Sequence, residues 1–217
     1  MSRIIIFDMD GTIIDSSQDI THSINYVRTF RSLAPLSVKT IVDAINGGHD
    51  NLAHIFYETK TYEKQDRDRF EEHYENQCIQ NVSLYDGMAE TLEKLKSYGH
   101  RLSIATNAPS TFARIMLRHV NVLHHFDYIY GADMVEHAKP HAQMLLEIFK
   151  KYGYEKSKEK TPLMVGDNYK DMTSAKNAEV IGVYVGWGFS DSDEYEISLK
   201  EPSELVEVAK SIELKYF

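Results

Sequence analysis

The sequence is poor in cysteine, in positive charge and in long apolar runs, and each shortage excludes something. Cys78 is the one cysteine among 217 residues. An internal disulfide is therefore impossible, which suits a reducing compartment. No neighbouring residue in the sequence would lower its thiol pKa, so Cys78 reads as helix packing and not as a nucleophile. No stretch approaches the roughly 18 consecutive apolar residues that a membrane-spanning helix needs. The apolar run near the N-terminus is short and meets an acid at Asp8 where a signal peptide would carry a small-residue cleavage site. A cytoplasmic location is the expectation that follows. Lys and Arg number 24 against 33 Asp and Glu, a formal net charge of −9. That balance argues against a nucleic-acid partner, because such binding runs on clustered positive charge. No membrane partner is expected either.

What the sequence does hold is ordinary globular composition, 26% charged and 42% apolar. Ile4 to Phe7 is a continuous β-branched and aromatic run, which predicts a strand buried on both faces. Asp8 to Ser16 is polar and contains Gly11, so it reads as the loop at that strand's C-terminal end. From Ser17 to about Asn81 there is no strand candidate. Ile20, Ile24, Val27 and Phe30 keep helical spacing. Ser37 is placed to cap a second helix through Ile41, Val42 and Ile45, broken by Asn46-Gly47-Gly48. Further helices are predicted around Leu52 to Tyr57 and Glu63 to Gln80. After Asp86-Gly87, strands and helices alternate. Strands are predicted at Leu102–Ala105, Tyr128–Tyr130, Leu163–Val165 and Ile181–Val185. Helices are predicted at Met88–Tyr98, Thr111–Val120, Pro140–Tyr152, Asp171–Asn177 and Glu201–Ser211, with Pro140 in the first turn of its helix. The pattern predicts an α/β fold with a doubly wound parallel sheet. Its core would be residues 1–15 and 82–217, and residues 16–81 an inserted all-helical cap domain.

The polar residues collect where these strands end. Asp8 and Asp10 follow the first, Thr106 and Asn107 the second, and Asp167 and Asp171 the fourth, while Lys139 precedes a helix. Ligands of open α/β sheets bind at the carboxyl ends of the strands, so these residues are expected to converge. Asp8, Asp10 and Asp167 would repel one another unless a hard divalent cation held them. Mg2+ takes one or two carboxylates together with waters and phosphate oxygens. The same ion would neutralise a phosphoryl group under attack by a carboxylate. Lys139 would add positive charge, Thr106 a hydroxyl donor, and the N–H groups after Asp8 an anion nest helped by Gly11. Taken singly these are weak signals, since Asp at a strand end is often a turn or a cap. Asp8-Met9-Asp10-Gly11-Thr12 behind an apolar strand, with the other three in order, is specific.

Other features are less informative. His124 and His125 are adjacent and should face different directions. His137 and His141 flank Pro140, and neither pair has a third ligand, so all four read as surface or rim residues. Gly186-Trp187-Gly188 follows a strand and either passes near the site or packs Trp187 on the core edge. It lacks the third glycine and the following helix of a dinucleotide fingerprint.

Ile5-Ile6-Phe7-Asp8-Met9-Asp10-Gly11-Thr12 resembles the first motif of the haloacid dehalogenase superfamily. Ile104-Ala105-Thr106-Asn107 resembles the second, Lys139-Pro140 the third, and Gly166-Asp167-Asn168-Tyr169-Lys170-Asp171 the fourth. The resemblance covers essentially the full length, with the helical cap inserted after the first motif. It points to the phosphoglycolate phosphatase-like branch, which also holds β-phosphoglucomutases and pyrophosphatases.

That resemblance implies roles. Asp8 attacks phosphorus and becomes an aspartyl phosphate. Asp10 protonates the leaving oxygen and then activates water. Thr106 and Lys139 hold phosphoryl oxygens, and Asn107 binds phosphate through its backbone N–H. Asp8, the backbone carbonyl of Asp10, and Asp167 bind Mg2+. Asp171 supports them, through water on the metal or by pairing with Lys139. An acid at Asp10 favours phosphoryl transfer over dehalogenation or phosphonate cleavage. In related enzymes a cap turn near Gly47, Gly48 and His49 points into the active site. His49 either touches substrate or lies in an exposed interhelical loop. The expectation is a Mg2+-dependent phosphatase of a small phosphorylated metabolite such as 2-phosphoglycolate, acting as a monomer or a homodimer. The alternatives are a pyrophosphatase or nucleotidase, a β-phosphoglucomutase-type mutase, and a non-catalytic binding protein. The turn at Gly47 lacks the arginine-containing pattern associated with the mutases. The intact motif disfavours a non-catalytic protein.

Overall fold

The computed structural model describes residues 2–47, 51–190 and 195–211, so Gly48 and His49 lie outside the described residues. In chain order the elements are β1 (Ile4–Phe7), β2 (Ile14–Asp15), α1 (Ser17–Phe30), α2 (Val38–Asn46), α3 (Leu52–Tyr57), α4 (Lys64–Gln77), β3 (Ser83–Leu84) and α5 (Met88–Ser97). They continue with β4 (Arg101–Ala105), α6 (Ser110–His119), β5 (Tyr128–Tyr130), α7 (Gln143–Tyr152), β6 (Leu163–Gly166), α8 (Tyr169–Asn177), β7 (Ile181–Val185), β8 (Ser198–Leu199) and α9 (Leu205–Ser211). Among the described residues, no helix is long and apolar enough to cross a membrane.

The main sheet has the order β5-β4-β1-β6-β7-β8, and its pairings are parallel. This is the doubly wound α/β sheet that the alternation of strands and helices predicts. β1 is central, with Phe7 in register with Ile104 of β4 on one side and Val165 of β6 on the other. Its four residues are fully buried, which is why the run carries no polar alternation. From β1 the chain adds β4 and β5 on one side, then β6, β7 and β8 on the other. The order therefore reverses beside β1, and a crevice forms at the carboxyl ends of β1, β4 and β6. One face of the sheet is covered by Met144, Leu145, Ile148 and Phe149 of α7, packed with Ile4, Ile6, Ala105 and Met164.

The chain divides into two compact units, Met1–Ile14 with Leu84–Phe217, and Asp15–Ser83. The second unit packs Ile24 and Val27 of α1, Ile41 and Ala44 of α2, and Phe56 and Tyr57 of α3 into its own core. Three buried charged groups in it have partners. Arg28 donates to the carbonyls of Ala34 (2.7 Å) and Phe56. Asp66 accepts from Arg31, with Nε 3.0 Å from both carboxylate oxygens. Asp19 accepts from the side chains of Gln77 (2.8 Å) and Asn81 (2.7 Å) and from the Asn81 N–H. Ser37 caps α2 as its sequence position predicts, accepting from the Thr40 N–H at 3.1 Å.

Some local expectations are corrected. α7 starts at Gln143 and not at Pro140, because the His141 ring nitrogen takes the Gln143 N–H at 3.1 Å; the Lys139–Pro140 peptide is cis. The last helix is split, with a 3-10 turn at Pro202–Glu204 before α9. His124 and His125 do not diverge. The tight turn Leu123–His125 brings their ring centroids within 4.1 Å.

Candidate active site

Asp8 stands one residue beyond β1, and its N–H donates to the Val165 carbonyl of β6 at 2.8 Å. The backbone hydrogen bond prolongs the ladder and fixes where the side chain leaves the sheet. Asp167 and Asp171 arrive from the β6–α8 connection. There Asn168 caps α8 by accepting from the Lys170 N–H, while Asp171 Oδ2 accepts from the Asn168 N–H at 3.2 Å. This reciprocal capping turns the Asp171 carboxylate back over the end of β6. Gly166 makes room for it, since a Cβ there would lie 2.3 Å from the Asp171 carboxyl carbon.

The three carboxylates of Asp8, Asp167 and Asp171 are buried, and one ligand atom from each lies within 4.8 Å of the others. Lys139 enters between two of them. Its Nζ is 2.7 Å from Asp8 Oδ1 and 2.7 Å from Asp171 Oδ1, and its side chain is only 2% exposed. Burial alone would lower the lysine pKa, but Asp171 and Asp8 override it and hold it above the usual lysine value. Burial pushes Asp171 up to about 7, with Asp8 adding to the rise and Lys139 opposing it. Burial, Asp8 and Asp171 raise Asp167 well above the ordinary carboxylate range. When ionised, these three buried acids outnumber Lys139, the lysine bonded to two of them, so the cluster favours an added cation. The donors are all oxygens, and a hard divalent cation fits such a set.

The remaining residues singled out by sequence fall as follows. Asp10 is half-buried in the turn after β1, in a bridge with Ile14. Thr106 is buried at the end of β4, and its hydroxyl accepts from the Ala108 N–H at 3.0 Å. Gly47 ends α2, donating its N–H to the Asp43 carbonyl at 2.8 Å. Asn107 has a contact that sequence did not suggest. Its Nδ2 donates to the Lys139 carbonyl at 2.9 Å, and its Oδ1 accepts from the Lys139 N–H at 3.0 Å. The second motif thus grips the main chain of the third.

A family model described as haloacid dehalogenase-like hydrolase matches residues 5–185. The chain belongs to that family. A phosphoglycolate phosphatase of Haemophilus influenzae is 30% identical over 202 residues, 87% of this chain and 88% of that protein. One of Aquifex aeolicus is 28% identical over 208 residues, 95% of this chain and 96% of its own. A haloacid dehalogenase-like hydrolase structure from Streptococcus pneumoniae superimposes with a TM-score of 0.77 at 23% identity, covering 95% of this chain and 97% of its own, and shows the same fold.

As a haloacid dehalogenase-like hydrolase, this chain brings together more than its motif acids. Asp167 Oδ1 is approached by the Thr12 hydroxyl (3.5 Å) and the Asn168 side chain (3.4 Å), and its Oδ2 accepts from the Phe189 N–H (2.8 Å). Asn168 was readable in advance, as an Asn three residues before Asp171 at a helix start. Phe189 was not, because a backbone donor from a loop leaves no mark in side-chain chemistry.

Proposed function

We propose that this hydrolase is a Mg2+-dependent phosphatase of small phosphate monoesters, 2-phosphoglycolate-like in size and charge, working through an aspartyl phosphate on Asp8. The observation that carries the reading is Lys139 Nζ, seated 2.7 Å from both Asp8 and Asp171 in a buried carboxylate cluster. A nucleophilic carboxylate beside an anionic ester needs such a cation to offset repulsion. The relatives named phosphoglycolate phosphatases support the substrate class. Asp8, Asp167 and the Asp10 backbone carbonyl would hold Mg2+. Asp171 would support it through water, since its oxygens already serve Lys139 and the Asn168 N–H. Bound there, Mg2+ supplies the charge that offsets the phosphoryl oxygens during attack.

The steps by this chain's residues are these. A carboxylate oxygen of Asp8 attacks phosphorus, the bond to the leaving oxygen breaks, and Asp10 gives that oxygen a proton. Asp10 then takes a proton from water as the water oxygen attacks phosphorus. The acyl phosphate bond breaks, releasing inorganic phosphate and restoring Asp8. Thr106 and Lys139 hold phosphoryl oxygens throughout, and Asn107 acts on the same group through its N–H. Residues 16–81 serve in this reading as the cap that selects substrate, with Gly47, Gly48 and His49 as the residues proposed to set specificity.

The test is phosphate release with Mg2+ across 2-phosphoglycolate, pyrophosphate, nucleoside monophosphates and β-glucose 1-phosphate, with Asp8→Asn as control. Release from one small monoester far above the rest, lost in Asp8→Asn, is the expected result. Wild-type turnover in Asp8→Asn would sink the mechanism. Conversion of β-glucose 1-phosphate to glucose 6-phosphate without release would replace phosphatase by mutase.

A further inference from the structure

The turn after β7, Gly186 to Phe189, carries no motif acid, yet it closes on the centre of the site. The Phe189 N–H donates to Asp167 Oδ2 at 2.8 Å, the shortest of the three contacts described above on that carboxylate. Trp187 Nε1 donates to the Thr12 carbonyl at 3.1 Å, on the loop that carries Asp8 and Asp10. Gly188 lies so close that a Cβ on it would fall 2.2 Å from the Gly11 carbonyl oxygen and 2.4 Å from the Asp167 Cβ. Gly11, at φ +80°, is as tight in return: a Cβ there would meet Asp167 Oδ2 at 2.4 Å and the Phe189 ring at 2.9 Å. Two glycines from distant parts of the chain therefore interlock around one carboxylate. The turn is itself anchored, by the Gly186 N–H on the Leu199 carbonyl (2.8 Å) and by the Tyr184 hydroxyl on the Ser190 carbonyl.

We propose that the Gly186–Phe189 turn is a positioning element that sets the rotation of the Asp167 carboxylate through the Phe189 N–H and ties it to the Asp8 loop through Trp187. The proposal rests on the reading of Asp167 as a metal ligand. An N–H fixed on one oxygen stops rotation about Cβ–Cγ and leaves the group pre-aimed, so the ion meets an ordered ligand. Trp187 is the only tryptophan of the chain. Its indole is bonded one residue from Gly11, so its emission reports the state of this contact.

The experiment is Mg2+ binding to the whole protein by calorimetry, together with Trp187 emission and the 15N resonance of the Phe189 amide. Wild type is expected to bind Mg2+, with emission and amide shift titrating at the calorimetric Kd. Gly188→Ala, which crowds the seat, and Phe189→Pro, which removes the donor, should weaken Mg2+ binding by about tenfold to a hundredfold. Phe189→Leu keeps the N–H and should retain wild-type affinity. Wild-type affinity in folded Gly188→Ala and Phe189→Pro overturns the proposal while leaving the metal reading intact. Wild type that binds no Mg2+ overturns both. Should the variants fail to fold, the wild-type amide decides: a Phe189 resonance that stays still while Mg2+ saturates overturns the proposal.

Discussion

Replacing Lys139 with methionine tests how the carboxylate cluster is held. The side chain of Lys139 is 2% exposed and those of Asp8 and Asp171 are 8% and 0% exposed, so solvent cannot take over the lost ion pairs. Removing one member of a buried pair leaves uncompensated charge and costs about 3–5 kcal/mol. The cost should depend on pH. Asp171, pushed up to about 7 in the folded protein, binds a proton there that the unfolded chain gives up near the ordinary value of 3.8. Stability from that group is fully present below the unfolded value and is lost as pH rises through the folded one. Without Lys139 the folded value climbs further, and each added unit deepens the loss at alkaline pH by about 1.4 kcal/mol. Near pH 5 Asp171 is protonated in both proteins and this part vanishes, so the mutational loss should shrink by about 1–2 kcal/mol relative to pH 8. Urea unfolding in EDTA, followed by Trp187 emission, reads the unit that carries the site, whereas far-UV circular dichroism sums the helices of both units. A loss at pH 8 under about 1 kcal/mol, the worth of an exposed pair, would refute the reasoning. So would a loss that is equal at both pH values.

Asn107→Ala should lower kcat more than it changes KM, because it removes both side-chain bonds to the Lys139 main chain and lets the ammonium drift. A drop of about a hundredfold is the expected scale for a displacement near 1 Å, and steady-state kinetics showing wild-type kcat would count against it. In metal-free wild type, Tm should fall as pH is raised from about 5 to about 8, since Asp167 and Asp171 both have raised values and must ionise while buried. Saturating Mg2+ should flatten that slope in a thermal melt, and a Tm that rises with pH without metal would contradict the cluster's electrostatics.

Much of this was legible in the sequence because the signals are local. A continuous apolar run followed by Asp8 states both a buried strand and what stands at its end. The alternation after Asp86 fixes a parallel sheet, and the ordered motifs include Asp8, Lys139, Asp167 and Asp171, which meet. What was not legible depends on distant chain. β8 is two residues long and exists through its pairing with β7, so no periodicity announces it. The start of α7 was misplaced because the His141 ring takes a helix-starting N–H. Asn107 was read for its backbone, while its side chain is spent on a residue 32 positions away. The turn at Gly186 was noticed, but its contact with Asp167 is a main-chain bond that composition cannot encode.

The central position of β1 has a consequence for how the protein is made. Asp8 is placed by a strand lodged between β4 and β6, and the second neighbour is not synthesised until residues 163–166 have been added. Residues 15–83 form one contiguous stretch and have their own apolar cluster, so that unit can collapse while the ribosome is still extending the chain. Until then the strand bearing Asp8, apolar on both faces, has β4 as its one available neighbour. The strand bearing the nucleophile is thus completed only after residues 163–166 have been added.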